Sequence, residues 1–177
     1  MIWYVLLVAA VAAERVGELV VARRNERWSL ARGAVEAGQG HYPAMVALHI
    51  GLLVGCLVEA GSADRPFVPA LAWPMVAVLV LAQALRWWCI ATLGSRWNTR
   101  VIVVPGLPLV ARGPYRVLRH PNYVAVVAEG VALPMVHTAW ITAVAFTLLD
   151  AAVLTVRIRC ENRALAAVTA PIASVPA

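Results

Sequence analysis

The sequence predicts an all-α integral membrane protein with about five transmembrane helices, organised as a single domain over residues 1–177. Apolar residues make up 62% of the chain and charged residues only 14%, whereas a soluble domain carries about 25% charged residues. The apolar residues are grouped into segments close to the ~20 residues that a membrane-spanning helix needs. The formal net charge is +6, and all 15 basic residues are arginine. Basic charge on a membrane protein indicates topology and lipid headgroups rather than nucleic acid as a partner.

The first three apolar segments are long enough to cross a bilayer. Unlike a secretory signal peptide, the first has no basic residue ahead of its apolar core, so we expect a retained span even though Glu14, Arg15 and Glu18 lie in its last turns. The third is expected to begin or bend at Pro69 and Pro74. With the fourth and fifth segments included, the predicted spans are residues 1–21, 43–60, 67–93, 121–137 and 139–156.

The fourth segment is short for a membrane span. Glu129 and Pro134 interrupt it, and its apolar run covers roughly 20 Å at about 1.5 Å per residue, against a hydrocarbon core of about 30 Å. We therefore expect it to cross obliquely or to borrow Pro121 and Asn122 at its start. The turn near "PMVHTAW" predicts a tight helical hairpin with the fifth segment.

The arginines lie mainly in alternate connections, and this predicts the orientation. The positive-inside rule places the N-terminus outside and the C-terminus in the cytoplasm. An odd number of spans also requires the two termini to lie on opposite sides.

Within the cytoplasmic connection of residues 94–120, strand-like "RVIVV" precedes Pro-Gly and is expected to form a flap or short hairpin over the bundle. The last residues, "TAPIASVPA", are expected to fray. The cytoplasmic arginines are Arg23, Arg24, Arg27, Arg32, Arg96, Arg100, Arg112, Arg116, Arg119, Arg157, Arg159 and Arg163.

The stretch "RHPNY" marks the start of the fourth helix. Pro121 suits the first helical position, where its missing N–H costs nothing, and this makes His120 the N-cap. Unpaired N–H groups at a helix start attract an anion such as a carboxylate, and Arg119 adds a full positive charge. Tyr123 can project from the same edge. Two interpretations stay open here: a ligand site, or a topological loop with an interfacial tyrosine.

A stripe of residues runs along the fifth segment into the tail. Asp150, Leu154, Arg157 and Glu161 recur with helical spacing and therefore share one face. An ionisable group inside a span is a functional candidate, although Asp150 could instead pair with Arg86. The Arg157–Glu161 spacing also fits a simple ion pair on one helix.

Three further groups have less specific interpretations. Glu129, inside the short fourth segment, raises the same question as Asp150. His49 in an apolar helix is expected to pack, and Arg86 could snorkel to the interface, where Trp87 and Trp88 resemble an aromatic belt.

No metal-ligand spacing, disulfide framework, phosphate-binding loop, dinucleotide-binding glycine motif or nucleophile elbow is found in the sequence. Cys56, Cys89 and Cys160 lie in or beside apolar segments and are expected to pack as small hydrophobic residues. A nucleotide-like cofactor would therefore need a binding site other than a Rossmann fold.

The ordered set "LVARGPYRVLRHPNY", a short helical hairpin and "RIRCENRAL" resembles the isoprenylcysteine carboxyl methyltransferase family over about residues 93–167. That family's pattern is G-x-Y, then R-H-P-x-Y, a helical hairpin and a terminal R-x-x-x-E-E. The resemblance implies a membrane methyltransferase that uses S-adenosylmethionine. It further implies a bacterial-type, multi-pass protein of the cytoplasmic membrane, with the cofactor held at the cytoplasmic end by residues 94–123 and 150–167.

By position, the resemblance implies that Arg157, Glu161 and His120 are catalytic. Asn162 stands where the family has the second of its two terminal glutamates. The ionisable residues Glu129, Asp150 and Arg86 are the candidates for the substrate side. The implied cofactor-binding residues are His120, Pro121, Asn122, Tyr123, Gly113, Tyr115, Arg119, Glu161 and Asn162.

The leading hypothesis from the sequence is methylation of a carboxylate or phenolic hydroxyl on a lipophilic substrate, of isoprenoid or polyketide type, which is either a small molecule or a lipidated partner. The cofactor product is S-adenosylhomocysteine. A carboxylate is already ionised and needs only an orienting Arg157, whereas a phenol, with a pKa of about 10, needs a base such as His120 or Glu161.

Two hypotheses from other classes stay open. A membrane reductase that shares the R-H-P-x-Y helix would bind NADPH more tightly than S-adenosylmethionine. A non-catalytic membrane scaffold would tolerate alanine at Arg157, Glu161 and His120 with no effect beyond stability.

Overall fold

The computed structural model describes residues 1–169 and is mostly helical. Each predicted span corresponds to one α-helix, although the first and last helices continue well beyond the predicted spans. The tail expected to fray lies, apart from its first residue, outside the described residues. The helices are α1 (Ile2–Leu30), α2 (Tyr42–Ser62), α3 (Pro69–Leu93), α4 (Pro121–Met135) and α5 (Trp140–Thr169).

The helices differ in how well they suit a bilayer. Within residues 1–169, three helical stretches are long and apolar enough to cross one: Gln39–Ser62, Pro69–Arg96 and Trp140–Ala167. Their outer faces expose large apolar side chains, such as Leu81 at 68% and Leu148 at 69%, which suit acyl chains better than water. Helix α1 carries charged residues in its apolar half and α4 is only 15 residues long. The all-α membrane class is therefore supported, and five crossings stay a prediction.

Helix α4 packs between α3 and α5. Gly130 on α4 lets the ring of Phe146 on α5 approach so closely that a Cβ at Gly130 would overlap it. The main core cluster joins α1 through Tyr4, whose hydroxyl donates a hydrogen bond to the carbonyl of Leu133 at 3.1 Å. Close helix contacts at small residues are typical of membrane bundles, where packing drives association.

The predicted hairpin of α4 and α5 is confirmed, with a turn of four residues between the helices. Thr138 in this turn adopts a φ of 52°. Glu59 of α2 accepts hydrogen bonds from the backbone N–H groups of Ile141 at 3.1 Å and Thr142 at 2.7 Å. A carboxylate from a neighbouring helix thus caps the start of α5, where unpaired donors and the helix dipole favour negative charge.

The strand-like segment after α3 does form a strand, but not a hairpin. Strand β2 (Val101–Val103) pairs antiparallel with β1 (Val35–Ala37), which belongs to the connection between α1 and α2. Together these two strands form the ribbon. Arg100 beside β2 stabilises the ribbon through an ion pair with Glu36 at 3.2 Å. The ribbon packs against α5. Of the two predicted alternatives, the flap over one end of the bundle is therefore present and the local hairpin is wrong.

Candidate active site at the start of the fourth helix

The start of α4 has the predicted local structure. Pro121 opens the helix and His120 occupies the N-cap position without a capping bond from its side chain. The imidazole of His120 is therefore free to stack on the ring of Tyr123, with centroids 5.4 Å apart and an interplanar angle of 25°. Both rings thus face the same side of the helix start.

The Tyr123 hydroxyl connects the two charged residues of the predicted stripe. It accepts a hydrogen bond from Nε of Arg157 at 2.9 Å and donates one to Oε2 of Glu161. The guanidinium also lies 5.7 Å from the centroid of the Tyr123 ring. Among the described contacts, Arg157 and Glu161 meet through this hydroxyl rather than as the simple ion pair that their spacing allows.

His120 also contacts both positions of the terminal motif. Its Nε2 lies 3.1 Å from Oδ1 of Asn162, and its Nδ1 lies 3.8 Å from Oε1 of Glu161. Asn162, at the position of the family's second glutamate, therefore supplies an amide partner for the imidazole. The histidine is held between a neutral and an acidic side chain of α5.

One wall of the site is the segment between α3 and β2. Arg157 donates from Nη2 to the carbonyl of Thr99 at 2.7 Å, which ties the segment to α5. Asn25 of α1 donates from Nδ2 to the carbonyl of Trp97 at 2.8 Å and to that of Gly94 at 3.1 Å. Two helices thus fix a stretch of backbone whose regular structure is limited to the short 3-10 helix Gly94–Arg96.

His120, Tyr123, Arg157 and Glu161 line a cleft of about 510 Å³ at the end of the bundle that the ribbon covers. Apolar residues of 101–104 and 107–111 form a second wall. The volume lies within the range of about 300–1,000 Å³ that is common for small-molecule sites. Of the residues predicted for catalysis or cofactor binding, the cleft is lined by Tyr115, Arg119, His120, Asn122, Tyr123, Arg157 and Glu161.

The other predicted cofactor residues support this lining. Pro121 is buried at the first position of α4, and Asn162 bonds His120. Gly113 has a φ of 55°, and a Cβ there would lie 2.6 Å from Oγ1 of Thr92, so glycine is needed at this turn. Burial raises the pKa of Tyr115, and the Cys89 thiol beside it adds to the effect. The phenol of Tyr115 therefore stays neutral.

Two of the substrate-side candidates, Arg86 and Glu129, lie in a buried ionic cluster away from the cleft lining. Arg86 donates to Glu129 at 2.5 Å and lies 3.4 Å from Glu18, and Arg15 bonds both carboxylates. Arg86 is only 3% exposed, so the suggestion that it snorkels to the interface is wrong. Its partner is Glu129 rather than Asp150.

Asp150 occupies the deep end of the predicted stripe on α5. It is 2% exposed, and its Oδ1 has no hydrogen-bond partner among residues 1–169.

His49 packs inside the bundle, as predicted. Its Nδ1 lies 2.8 Å from the carbonyl of Met45, and its ring packs edge-on against Phe146. Cys56 and Cys89 are fully buried and Cys160 is half-buried.

Sequence reasoning missed the contribution of α1 to the site. Asn25 holds the wall, and Ser29, one helical turn later, lines the cleft. The available signal was a pair of neutral polar residues four positions apart in a segment otherwise rich in arginine. Asn98 and strand β2 fall within residues 94–123, which the resemblance implied for the cofactor, but no individual role was predicted for them. Strand β1 was missed, because its place depends on pairing between two distant connections.

Comparison with known proteins agrees with the geometry. The model of the isoprenylcysteine carboxyl methyltransferase (ICMT) family matches residues 75–167, which include most of α3, the cleft-forming connection and α4. The chain is also 37% identical over 166 residues to "Uncharacterized protein YpbQ" of Bacillus subtilis strain 168, covering 93% of this chain and 96% of that protein.

A second relative, "Uncharacterized protein" of Haemophilus influenzae, is 24% identical over 158 residues, covering 89% of this chain and 91% of the relative. The family match spans more than half of the chain and contains the R-H-P-x-Y helix together with the terminal Arg157 and Glu161. The chain therefore belongs to the isoprenylcysteine carboxyl methyltransferase family, and membership implies a membrane methyltransferase.

Proposed function

We propose that the protein is an S-adenosylmethionine-dependent O-methyltransferase that modifies a lipophilic acid or phenol at the membrane boundary. Family membership supports methyl transfer, and the cleft supports the location of the chemistry. The observation that carries the proposal is the Tyr123 hydroxyl, which joins Arg157 and Glu161 beside the His120 ring in one cleft.

The residues of the cleft fit this cofactor. When bound, S-adenosylmethionine supplies an electrophilic methyl group on a positively charged sulfur. The carboxylate of Glu161 and the face of the Tyr123 ring both favour a nearby cation. The start of α4 and the Arg119 side chain favour the carboxylate of the methionine moiety.

The cleft also has unused hydrogen-bonding capacity. The side-chain oxygens of Ser29, Asn98 and Asn122 are buried, line the cleft and have no partner among the described residues. Buried polar atoms are normally satisfied, so such a concentration is typical of a ligand site. A polar cofactor would satisfy them.

The chain's own residues can position either kind of acceptor. A carboxylate is ionised at neutral pH and requires only orientation, for which the buried guanidinium of Arg157 is available at the cleft. A phenol must lose its proton, and His120 beside Glu161 is the pair placed to accept it. In both cases the reaction depends on alignment and on the exclusion of water by the ribbon and the apolar wall.

The position of the cleft suits two substrates that come from different phases. The lipid-facing helices lead to the same end of the bundle as the cleft, so a lipophilic acceptor can arrive along the membrane. The arginines of the connections lie mainly at this end, and the positive-inside rule then supports a cytoplasmic cleft. A water-soluble donor would enter from the cytoplasm.

Transfer of a tritiated methyl group tests the proposal. Membranes from cells that express the wild-type protein, incubated with labelled S-adenosylmethionine, are expected to give a labelled product that extracts into organic solvent. Membranes with Glu161→Gln are expected to give far less. Base treatment releases volatile label from a methyl ester but not from a phenol ether, which identifies the acceptor oxygen. Equal labelling by wild type and Glu161→Gln would contradict the proposal.

A further inference from the structure

Ser29 is an unusual buried serine. It is only 1% exposed, it lines the cleft, and its Oγ has no hydrogen-bond partner among residues 1–169. A helical serine commonly bonds the carbonyl four residues earlier, as Ser62 does with Val58 at 2.6 Å. A buried hydroxyl without a partner costs stability, so the contacts within residues 1–169 give no reason for a hydroxyl at this position.

Asn98 presents a second neutral oxygen to the same cleft. Its Oδ1 is buried and accepts no hydrogen bond from the described residues. The flanking backbone is fixed on both sides, because Asn25 bonds the carbonyl of Trp97 and Arg157 bonds that of Thr99. The Asn98 side chain is therefore carried on a rigid segment that can be preorganised for a ligand.

The cleft thus combines three chemically different surfaces. Arg119 at the start of α4 suits the carboxylate of an amino acid moiety, and Glu161 suits a positive charge beside it. The apolar wall of residues 101–104 and 107–111 suits a flat ring. Ser29 and Asn98 add two neutral oxygens, which suit hydroxyl groups rather than charges. A nucleoside with an attached amino acid has all three parts, with its ribose hydroxyls between the ring and the charged end.

We propose that Ser29 and Asn98 bind the ribose hydroxyls of the nucleoside cofactor. The inference rests on the proposed function and deepens it. It assigns a binding role to α1, which lies outside residues 75–167 that match the family. Ser29 accepts from, or donates to, one ribose hydroxyl, and Oδ1 of Asn98 accepts from a ribose hydroxyl.

A double-mutant cycle between protein and ligand tests the assignment. Calorimetric titration of detergent-purified protein compares S-adenosylhomocysteine with its 2′-deoxy and 3′-deoxy analogues. Wild type is expected to bind at least one deoxy analogue about 3- to 10-fold more weakly than the parent, the size of one neutral hydrogen bond. Ser29→Ala is expected to bind the parent as weakly as that analogue and to lose the preference between them.

Ser62→Ala is the matched control, because Ser62 bonds its own helix and lies outside the cleft lining. It should keep the preference of wild type. Asn98→Ala provides a second variant, should Ser29→Ala fail to fold. It is expected to lose the preference for the parent over the deoxy analogue that lacks the hydroxyl bound by Asn98.

The outcomes separate this inference from the proposed function. Failure of folded wild type to bind S-adenosylhomocysteine refutes the proposed function, and the ribose assignment falls with it. Tight binding by wild type together with an unchanged preference in Ser29→Ala and Asn98→Ala refutes only the ribose assignment. Unchanged affinity of Ser29→Ala for the parent compound has the same consequence.

Discussion

Tyr123→Phe, which removes one oxygen atom, is expected to break the hydrogen bonds that join Arg157 and Glu161 while preserving the shape of the site. The phenyl ring keeps the stack on His120 and the contact with the Arg157 guanidinium. Only the hydroxyl that accepts from Arg157 and donates to Glu161 is lost. The substitution thus isolates the hydrogen bonds from the aromatic packing.

The size of the effect follows from the burial of the two partners. Arg157 is 6% exposed and keeps its bond to Thr99, but its Nε loses its partner in a place that water reaches poorly. The Glu161 side chain is 29% exposed and can be rehydrated, so its loss contributes less. One buried hydrogen bond to a charged group corresponds to about 1.5–3 kcal/mol. Because this bond orders the site before the ligand arrives, that free energy sets the upper limit of the loss of affinity, roughly 10- to 100-fold.

Calorimetric titration with S-adenosylhomocysteine in detergent measures this loss. Tyr42→Phe is the matched control, because Tyr42 does not line the cleft. Its hydroxyl makes a long contact of 3.5 Å with Thr99 and a hydrogen bond with the half-exposed Arg100. The control should bind within about twofold of wild type, well below the effect of one full hydrogen bond. Equal affinities for Tyr123→Phe and Tyr42→Phe would refute a role of the hydroxyl in organising the site.

Two further substitutions test the scaffold. Glu129→Gln is expected to lower the free energy of unfolding in detergent by about 3 kcal/mol, since it leaves Arg15 and Arg86 undercompensated; a loss of methyl transfer with unchanged stability and unchanged cofactor affinity would instead place Glu129 at the substrate. Gly130→Ala is expected to cost about 1–3 kcal/mol through overlap with Phe146. Gly51→Ala, at a position with open space around it, should leave the free energy of unfolding in detergent unchanged or raise it.

Local rules predicted the helices and the start of α4. Pro121 and His120 could be placed because the missing N–H of proline is tolerated in the first turn, and the structure has both at the expected positions. Glu129 and Pro134 limited the fourth segment enough to predict the hairpin. The spacing of Asp150 and Arg157 predicted one face of α5, and both side chains are buried.

Partners that are distant in sequence could not be predicted in this way. The ribbon pairs Val35 with Val103, and the ionic cluster joins Arg15 to Glu129. Such contacts depend on how helices pack against one another, which the periodicity of one segment does not contain. For the same reason the sequence did not indicate Ser29 as a cleft residue, because the cleft forms only when the other helices and connections pack beside α1.

Titration of folded, detergent-purified wild type with S-adenosylhomocysteine and, separately, with NADPH tests the central claim most directly. The site described above predicts saturable binding of S-adenosylhomocysteine that Glu161→Gln weakens, and no comparable binding of NADPH. Binding of NADPH in preference to S-adenosylhomocysteine, or no binding of either by well-folded protein, would contradict a methyltransferase cofactor site in this cleft.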